Sequence, residues 1–587
     1  MVDKRNISLQ NYLFYGIFLC ILTFTPLFYD MYQLPKALFL TAGCALYIAV
    51  FSFFHKKINF GFTAIAAAAF MLYISLRTLF SFDNFPPVYY LLTLLAPAAF
   101  FMPLITKIKA GNFLFFINII SFVSSIYAVF QYVNTGERPI SFFGNPVFLA
   151  EFTACLFPLI LVSLLAYKKY KLFTAINLCL SLLVLALASS RGAILSLGVS
   201  LFIFLYLSVS NKAFAVIDKK KTAIILLITF AIFTAITFFP RFKPAVTYNI
   251  NRALEVTHGG GASLSNRAVI LKTGLKMSAE KPVFGFGTGG FRYYFQKYQV
   301  SVITAENPSF INTSYAHNDY LQLLVETGAA GLLLFLLFVS SLLISFDRTK
   351  TLIINQDKPP AYALLASVIF FLCESMYNFP LFIMPSAFIF WLFCGILYSL
   401  PKKENKQIQL PSPFLTLLIV PVFIYLFISI MPVAANLHIK KGFTALQKKT
   451  NMEMKHFDTA LLLEPNNFYT RYYRGYSLLN NNRHKAYTEY EEALKIYPYS
   501  ADMLYNLGAM HLSDNQNEKA EFYLKKSLEL NPYFGMGHTA MAMLYMKTKR
   551  ENLASAELYL AAKYDPNSLG RGTDQIIMMM EETKLKP

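Results

Sequence analysis

The chain has 587 residues, 56% hydrophobic and only 14% charged, with 52 Lys and Arg against 32 Asp and Glu for a formal net charge of +20. Soluble domains are about 45–50% apolar and about 25% charged, so a single soluble domain and a disordered tail protein are both excluded. A mean hydropathy of +0.47 makes lipid the solvent of much of the chain.

The charge is unevenly placed. From Leu437 onward, 20 basic residues face 17 acidic ones; the remaining +17 lies among apolar runs in the first 436 residues. Basic residues between spans act as topology signals read by the insertion machinery and the anionic leaflet. That placement argues against a nucleic-acid partner. All six cysteines (Cys20, Cys44, Cys155, Cys179, Cys373, Cys394) sit in apolar stretches without metal-site spacing, as small packing residues do.

Runs of about 17–25 apolar residues read as membrane helices. They predict spans at 11–29, 37–54, 60–80, 88–106, 112–133, 146–167, 171–189, 192–210, 222–240, 328–346, 361–378, 380–400 and 413–435. This gives twelve or thirteen, since only Asn378-Phe379-Pro380 separates the 361–400 pair. The first run lacks a small-x-small cleavage site and reads as a retained span. Alternate loops hold nineteen basic residues, among them Lys56-Lys57, Lys168-Lys169, Lys219-Lys220-Lys221, Arg348 and Lys402-Lys403. The other short loops hold three: Lys36, Arg138 and Arg191. By the positive-inside rule the N-terminus is cytoplasmic, and the 241–327 loop and the C-terminal segment lie outside.

Four outer segments hold polar residues that lipid-facing sequence would not retain without a role. Gly144-Asn145-Pro146 precedes the sixth span, and Ser189-Ser190-Arg191-Gly192 forms a very short turn on the side where arginine is disfavoured. In the large loop, Ser265-Asn266-Arg267 reads as the capped start of a helix to about Ala279, with Ile270, Leu271, Leu275 and Met277 near an apolar face. Arg267 is then expected in its first turn, where backbone N–H groups already favour an anion. Gly285-Phe286-Gly287-Thr288-Gly289-Gly290 matches a dinucleotide pattern but follows Lys281-Pro282 without a βαβ context. It reads as a flexible turn carrying Phe291-Arg292-Tyr293-Tyr294 against the membrane face. His317-Asn318-Asp319-Tyr320-Leu321-Gln322 opens a helix returning to the bilayer, and a histidine at a helix N-terminus is kept neutral and able to accept a proton.

The C-terminal prolines 465, 498, 532 and 566 recur at 33 or 34 residues. Small residues stand twelve before the last three (Ala486, Ala520, Ala554) and five before each (Ala460, Ala493, Ser527, Ala561). Small residues let paired helices approach, and the proline ends the second helix. This resembles tetratricopeptide repeats, which bind peptides or proteins.

The order Asn145, Ser190-Arg191-Gly192, Arg267 and His317-Asn318-Asp319-Tyr320-Leu321-Gln322 resembles the O-antigen ligase/polymerase family of bacterial membrane glycosyltransferases. The resemblance covers roughly 112–400. It implies an all-α, GT-C-like polytopic bundle and a metal-independent, inverting transfer from an undecaprenyl-pyrophosphate-linked glycan. Arg191 and Arg267 would hold the pyrophosphate and His317 would be the catalytic base, supported by Asn145, Asn318, Tyr320, Gln322 and Glu326. No metal or other cofactor is implied, and no Asp-x-Asp pair stands in an outer loop. The expected organisation is a membrane domain at 1–436, the active-site loop at 241–327, repeats at 437–570 and a tail at 571–587. The acceptor could be lipid A-core (a ligase), another glycan (a polymerase) or a protein hydroxyl (an O-oligosaccharyltransferase), with a protein partner for the repeats. Two other classes fit parts of the pattern: a lipid-linked glycan transporter, and a non-catalytic envelope scaffold.

Overall fold

The computed structural model describes residues 4–565 apart from several stretches, the longest being 80–98, most of 212–261, 305–309, 401–407 and most of 412–429. The spans expected at 88–106, 222–240 and 413–435 therefore fall largely outside the described residues, as does the 571–587 tail. The other ten coincide with helices: α1 Lys4–Leu19, α2 Gln33–Phe51, α3 Phe62–Leu79, α4 Ala110–Thr135, α5 Pro146–Ala166, α6 Lys171–Ala188, α7 Arg191–Ser210, α10 Asp319–Thr349, α11 Lys358–Glu374 and α12 Met384–Ser399. Between them come α8 Ala262–Glu280 and α9 Gly290–Gln299 of the large loop. Six of these (α2, α4–α7 and α10) are long and apolar enough to cross a bilayer, and three shorter apolar helices accompany them.

These helices leave large side chains uncovered on one side and pack on the other. Phe202 and Val209 are each 70% exposed on α7 and Leu333 is 64% exposed on α10. On helices long and apolar enough to cross a bilayer, such faces suit lipid, and the protein is a multi-pass membrane protein. Inside the bundle, short polar side chains join helices where backbones come close. Asn177 Nδ2 donates to Asn118 Oδ1 at 3.1 Å, and Ser200 Oγ to the Ala366 carbonyl at 2.8 Å.

Three boundaries differ from the sequence reading. The first run stops being α-helical at Leu19, and after a short 3-10 turn the chain folds into a loop from Thr23. The 361–400 pair is split by a nine-residue connection from Ser375 to Ile383 rather than three. α10 starts at Asp319, where the histidine segment was read to open a helix, but Gly328 (φ 69°, ψ −174°) breaks it at the point where the span was expected to begin.

That break explains the glycine-rich turn. A helix interruption frees two carbonyls before it and two N–H groups after it, which must find partners. The 282–287 segment supplies all four. Phe286 N–H donates to Val325 O and Gly287 N–H to Glu326 O, both at 2.9 Å; Ala329 N–H donates to Pro282 O at 2.8 Å and Ala330 N–H to Val283 O at 3.2 Å. Arg77 Nη2 adds a bond to Gly285 O at 3.3 Å. The turn is clamped into the kink, not flexible, and it directs Arg292 and Tyr293 towards the C-terminal repeats instead of the membrane face.

The loops sort onto two ends of the bundle. At one end Lys57–Phe60 pairs antiparallel with Ile408–Pro411, Lys57 opposite Pro411, joining two of the basic loops. At the other, Lys36 Nζ donates to Thr23 O at 2.6 Å and Phe142 O at 2.8 Å, and Arg138 caps the carbonyls of Ala188 and Ser189 at the end of α6.

Among the described residues the C-terminal part is a row of four helical hairpins, Ile430–Lys448 with Glu453–Leu463, Phe468–Leu478 with Arg483–Ile496, Ala501–Ser513 with Asn517–Leu530, and Gly535–Lys547 with Glu551–Tyr564. The small residues do what their spacing implied. Ala460, Ala486, Ala493, Ala520, Ser527 and Ala561 are all fully buried, and a Cβ on Gly508 would come within 2.6 Å of Leu524.

Candidate functional site

The site is assembled at the end of the bundle that holds Lys36 and Arg138. Its first part is the turn between α6 and α7. Ser189 adopts a left-handed conformation (φ 57°), which reverses the chain within two residues, and Ser190 caps α7 by accepting from Ala193 N–H at 3.5 Å. Arg191 is thereby the first residue of α7 and is exposed at its mouth. Gly192 follows against α11: a Cβ there would lie 3.1 Å from Glu374 Oε1 and 3.3 Å from Asn378 Nδ2.

The second part is Arg267. α8 is already helical at Ala262, so Ser265 does not start it and Arg267 stands in its second turn, away from the N-terminal amides. Ile270 and Met277 are buried as expected, whereas Leu271 and Leu275 face outward. Arg267 Nη2 donates to Asn378 Oδ1 at 3.4 Å, and Asn378 Nδ2 in turn donates to Glu374. Glu374 also accepts from Ser196 Oγ of α7 at 2.8 Å. Glu374 and Asn378 thus meet both arginine-bearing elements, α7 and α8.

The third part is His317. It has a left-handed backbone (φ 49°), a conformation that costs a non-glycine residue energy and needs support from its surroundings. Support comes from both sides. Gln322 Oε1 accepts from Ala316 N–H at 2.6 Å while its Nε2 donates to Glu326 at 2.8 Å. Asn318 caps α10 through Leu321 N–H at 2.9 Å and donates to Met376 O at 3.2 Å. The imidazole stands edge-on to Phe379, ring centres 4.9 Å apart, and its Nδ1 is buried without a hydrogen-bond partner among the described residues. Burial, and after it the Arg267 charge, push its pKa down to about 4. The ring is neutral at pH 7 and carries an open lone pair, as a proton acceptor must.

Asp319 stitches this together. It is fully buried, accepts from Ser375 Oγ at 2.7 Å and Leu381 N–H at 3.1 Å, and its own N–H donates to Ser375 O at 2.8 Å. The 374–381 connection is therefore the hub: Gly192, Arg267 and the His317-Asn318-Asp319 turn all touch it. The sequence reading missed Glu374, which it had absorbed into an apolar span, and took Asn378 only as part of the connection between two spans. The available signal was an acid and an amide four residues apart near the end of that run.

The supporting residues have structural contacts. Asn145 caps α5 by accepting from Val147 N–H at 2.8 Å, and Tyr320 hydroxyl donates to Leu372 O at 2.7 Å. Glu326 is buried beside the glycine clamp and accepts from Gln322. The hydrogen bond of Asn145 stays within the start of α5; the rest either hold the histidine turn or tie α10 to α11.

Comparison with known proteins fits this geometry. A family model described as O-Antigen ligase matches residues 176–336, a stretch that includes Arg191, Arg267 and His317 but not Glu374 or Asn378. A tetratricopeptide-repeat model matches 501–534. An uncharacterised protein of Haemophilus influenzae is 28% identical over 180 residues, 29% of this chain and 43% of that one. Anaphase-promoting complex subunit 3 of Schizosaccharomyces pombe is 25% identical over 125 residues, 21% of this chain and 19% of that protein. The chain spans less than half the length of these curated relatives. Among solved structures, the Cut9-Hcn1 hetero-tetramer of the anaphase-promoting complex is 15% identical, covering 80% of this chain and 97% of that one at a TM-score of 0.23; yeast Tom70 is 14% identical, covering 78% and 77% at 0.20. The resemblance read from the motifs is met by both family models: through 176–336 this chain is similar to the O-antigen ligases, with tetratricopeptide repeats appended.

Proposed function

We infer that the protein is a glycosyltransferase of the O-antigen ligase type, moving a glycan from undecaprenyl pyrophosphate to an acceptor hydroxyl at the outer face of a bacterial inner membrane. The observation that carries this is the hub at Glu374 and Asn378, which gathers the element bearing Arg191, the Arg267 guanidinium and the neutral His317 turn around one connection.

The chemistry follows from the groups present. The bond between the anomeric carbon and the phosphate oxygen breaks as a bond from the acceptor oxygen to that carbon forms on the opposite face, inverting its configuration. Undecaprenyl pyrophosphate leaves with the electron pair. Two guanidiniums suit its growing charge, being permanently cationic with planar forks matched to phosphate oxygens. The acceptor hydroxyl loses its proton to His317, which Arg267 and burial keep unprotonated until then. None of these steps needs a metal. The membrane domain 1–436 performs the transfer, and the repeats of 437–570, on the same outer side, meet the acceptor or a protein partner. Lipid A-core is the acceptor we favour, ahead of a second lipid-linked glycan or a protein hydroxyl.

Release of undecaprenyl pyrophosphate from a lipid-linked glycan, measured with purified protein in nanodiscs and envelope acceptors, tests the reading. Wild type is expected to release it and His317→Ala to lose at least about 100-fold, the usual scale of a general base. Release undiminished in His317→Ala would remove the base assignment. No release by wild type, beside an active family enzyme on the same donor, would remove the transferase reading.

A further inference from the structure

A cavity of about 220 Å3 opens where α9 meets the second helical hairpin of the C-terminal row. It belongs to neither part alone. α9 contributes Arg292 and Tyr293, the strand of chain leading to His317 contributes Asn312, and the hairpin row contributes Tyr469, Tyr497 and Asp502. Arg292 donates to the Tyr469 hydroxyl and lies over its ring, 5.4 Å from the centre. Tyr293 meets Tyr497 edge to face at 5.6 Å.

α9 is built as a bridge. Its buried face, Phe291 and Phe295, packs in one cluster with Ile270 and Met277 of α8 and Leu321 and Val325 of α10. Those two helices carry Arg267 and follow His317. Its other face forms the cavity wall. Three residues beyond Asn312 the chain reaches Tyr315, which stacks on Phe379 at 4.4 Å and 9°, and His317 stands against the same ring. The Arg292 charge reaches Tyr315.

We propose that this cavity is a glycan subsite that takes one neutral sugar ring of the transferred or accepting oligosaccharide. Its lining is the argument. Six side chains are aromatic and only two, Ile496 and Met503, are aliphatic. One arginine and one aspartate balance, so the wall selects neither an anion nor a cation. A pyranose has the matching surface, with a C–H face to lie on a tyrosine ring and hydroxyls around its edge for Arg292, Asn312 and Asp502. The volume is below the roughly 300–1,000 Å3 of pockets for drug-sized ligands, as a single ring requires. The proposal rests on the transferase reading for the glycan's presence, and it gives the repeats a part in holding sugar beside the reacting groups.

The test is saturation-transfer NMR on the full chain in nanodiscs. The probes are oligosaccharides of two to eight residues cut from the host's surface polysaccharide, with a mixture of tripeptides as competitor. Transfer to the sugar C–H protons is expected. Tyr469→Ala and Arg292→Ala should each weaken binding about tenfold. Tyr469→Phe, which keeps the ring, should bind within about twofold of wild type on the same grounds. Tyr469 is 42% exposed, so its truncation opens no core, and circular dichroism confirms the fold. Equal binding by wild type and Tyr469→Ala overturns the proposal, as does Tyr469-dependent binding of peptide without sugar. Tyr469-dependent sugar binding in a protein that releases no undecaprenyl pyrophosphate leaves the subsite and removes the transferase; release without such binding does the reverse.

Discussion

His317 is held neutral by two causes, burial first and the Arg267 charge second. The sign of the pH dependence follows. A base must be unprotonated, so activity falls as pH drops through its pKa, and for the free enzyme that fall should come near pH 4 to 5 instead of around 6.5. Under the proposed function, a donor pyrophosphate paired with Arg267 would cancel one of the lowering causes. The acid limb of kcat should therefore lie above that of kcat/KM. Arg267→Gln should raise the kcat/KM limb towards the ordinary histidine value while weakening the donor's binding. A pH–rate profile decides it: identical limbs near 6.5 in wild type and Arg267→Gln would mean that Arg267 does not face His317. Asn378 offers a second residue-scale test. It bonds both Arg267 and Glu374, so Asn378→Ala frees the guanidinium to move. Misplacement by about 1 Å can cost on the order of 100-fold, so kcat/KM should fall by about 10- to 100-fold with the thermal midpoint nearly kept.

Among the elements, the clamp between the 282–287 turn and the Gly328 break is the part that sequence could not supply. Its glycines were visible as a motif, and the dinucleotide reading was rightly set aside for lack of a strand and crossover helix. What they approach depends on tertiary pairing across some forty residues, which no local pattern encodes. The same limit hid Glu374 and Asn378, since two polar residues in an apolar run look like the end of a span until their partners on α7 and α8 are placed. Arg191 was legible as a candidate from its very short turn between two apolar runs, and Arg267 and His317 from polar motifs within the large 241–327 loop. The clamp makes a graded prediction. Gly285 has φ 65°, and a Cβ there would lie 2.6 Å from the backbone at Val325, Glu326 and Gly328. Gly136 has φ 73° with nothing within 4 Å. Both alanine variants carry the left-handed penalty of about 1 kcal/mol, but only Gly285→Ala must also push the break apart, for a further 1–3 kcal/mol or so. Thermal unfolding in detergent should show a clearly larger loss for Gly285→Ala. Equal losses would argue that the turn is not seated in the kink.

For the whole molecule, the loops that sequence divided by charge also meet by contact. Lys57–Phe60 pairs with Ile408–Pro411, both next to basic loops. Lys36, Arg138, the Ser189 turn, Arg267 and His317 gather in linked contacts at the other end. Contact alone says which loops share an end; the excess of Lys and Arg at one end is the basis for expecting that end to face the cytoplasm. Together they predict an orientation that labelling reads directly. In a background with the six cysteines replaced by alanine, Glu137→Cys and Asn466→Cys, both exposed, should react with a membrane-impermeant maleimide from outside spheroplasts. Thr351→Cys, exposed beside the basic Arg348–Lys350 loop, should react only in inside-out vesicles. Labelling of Glu137→Cys and Thr351→Cys from one side would break the loop division itself. Labelling of Asn466→Cys from the cytoplasmic side would separate the repeats from the arginines and the histidine, and the cavity between α9 and the second hairpin could not then form in the membrane.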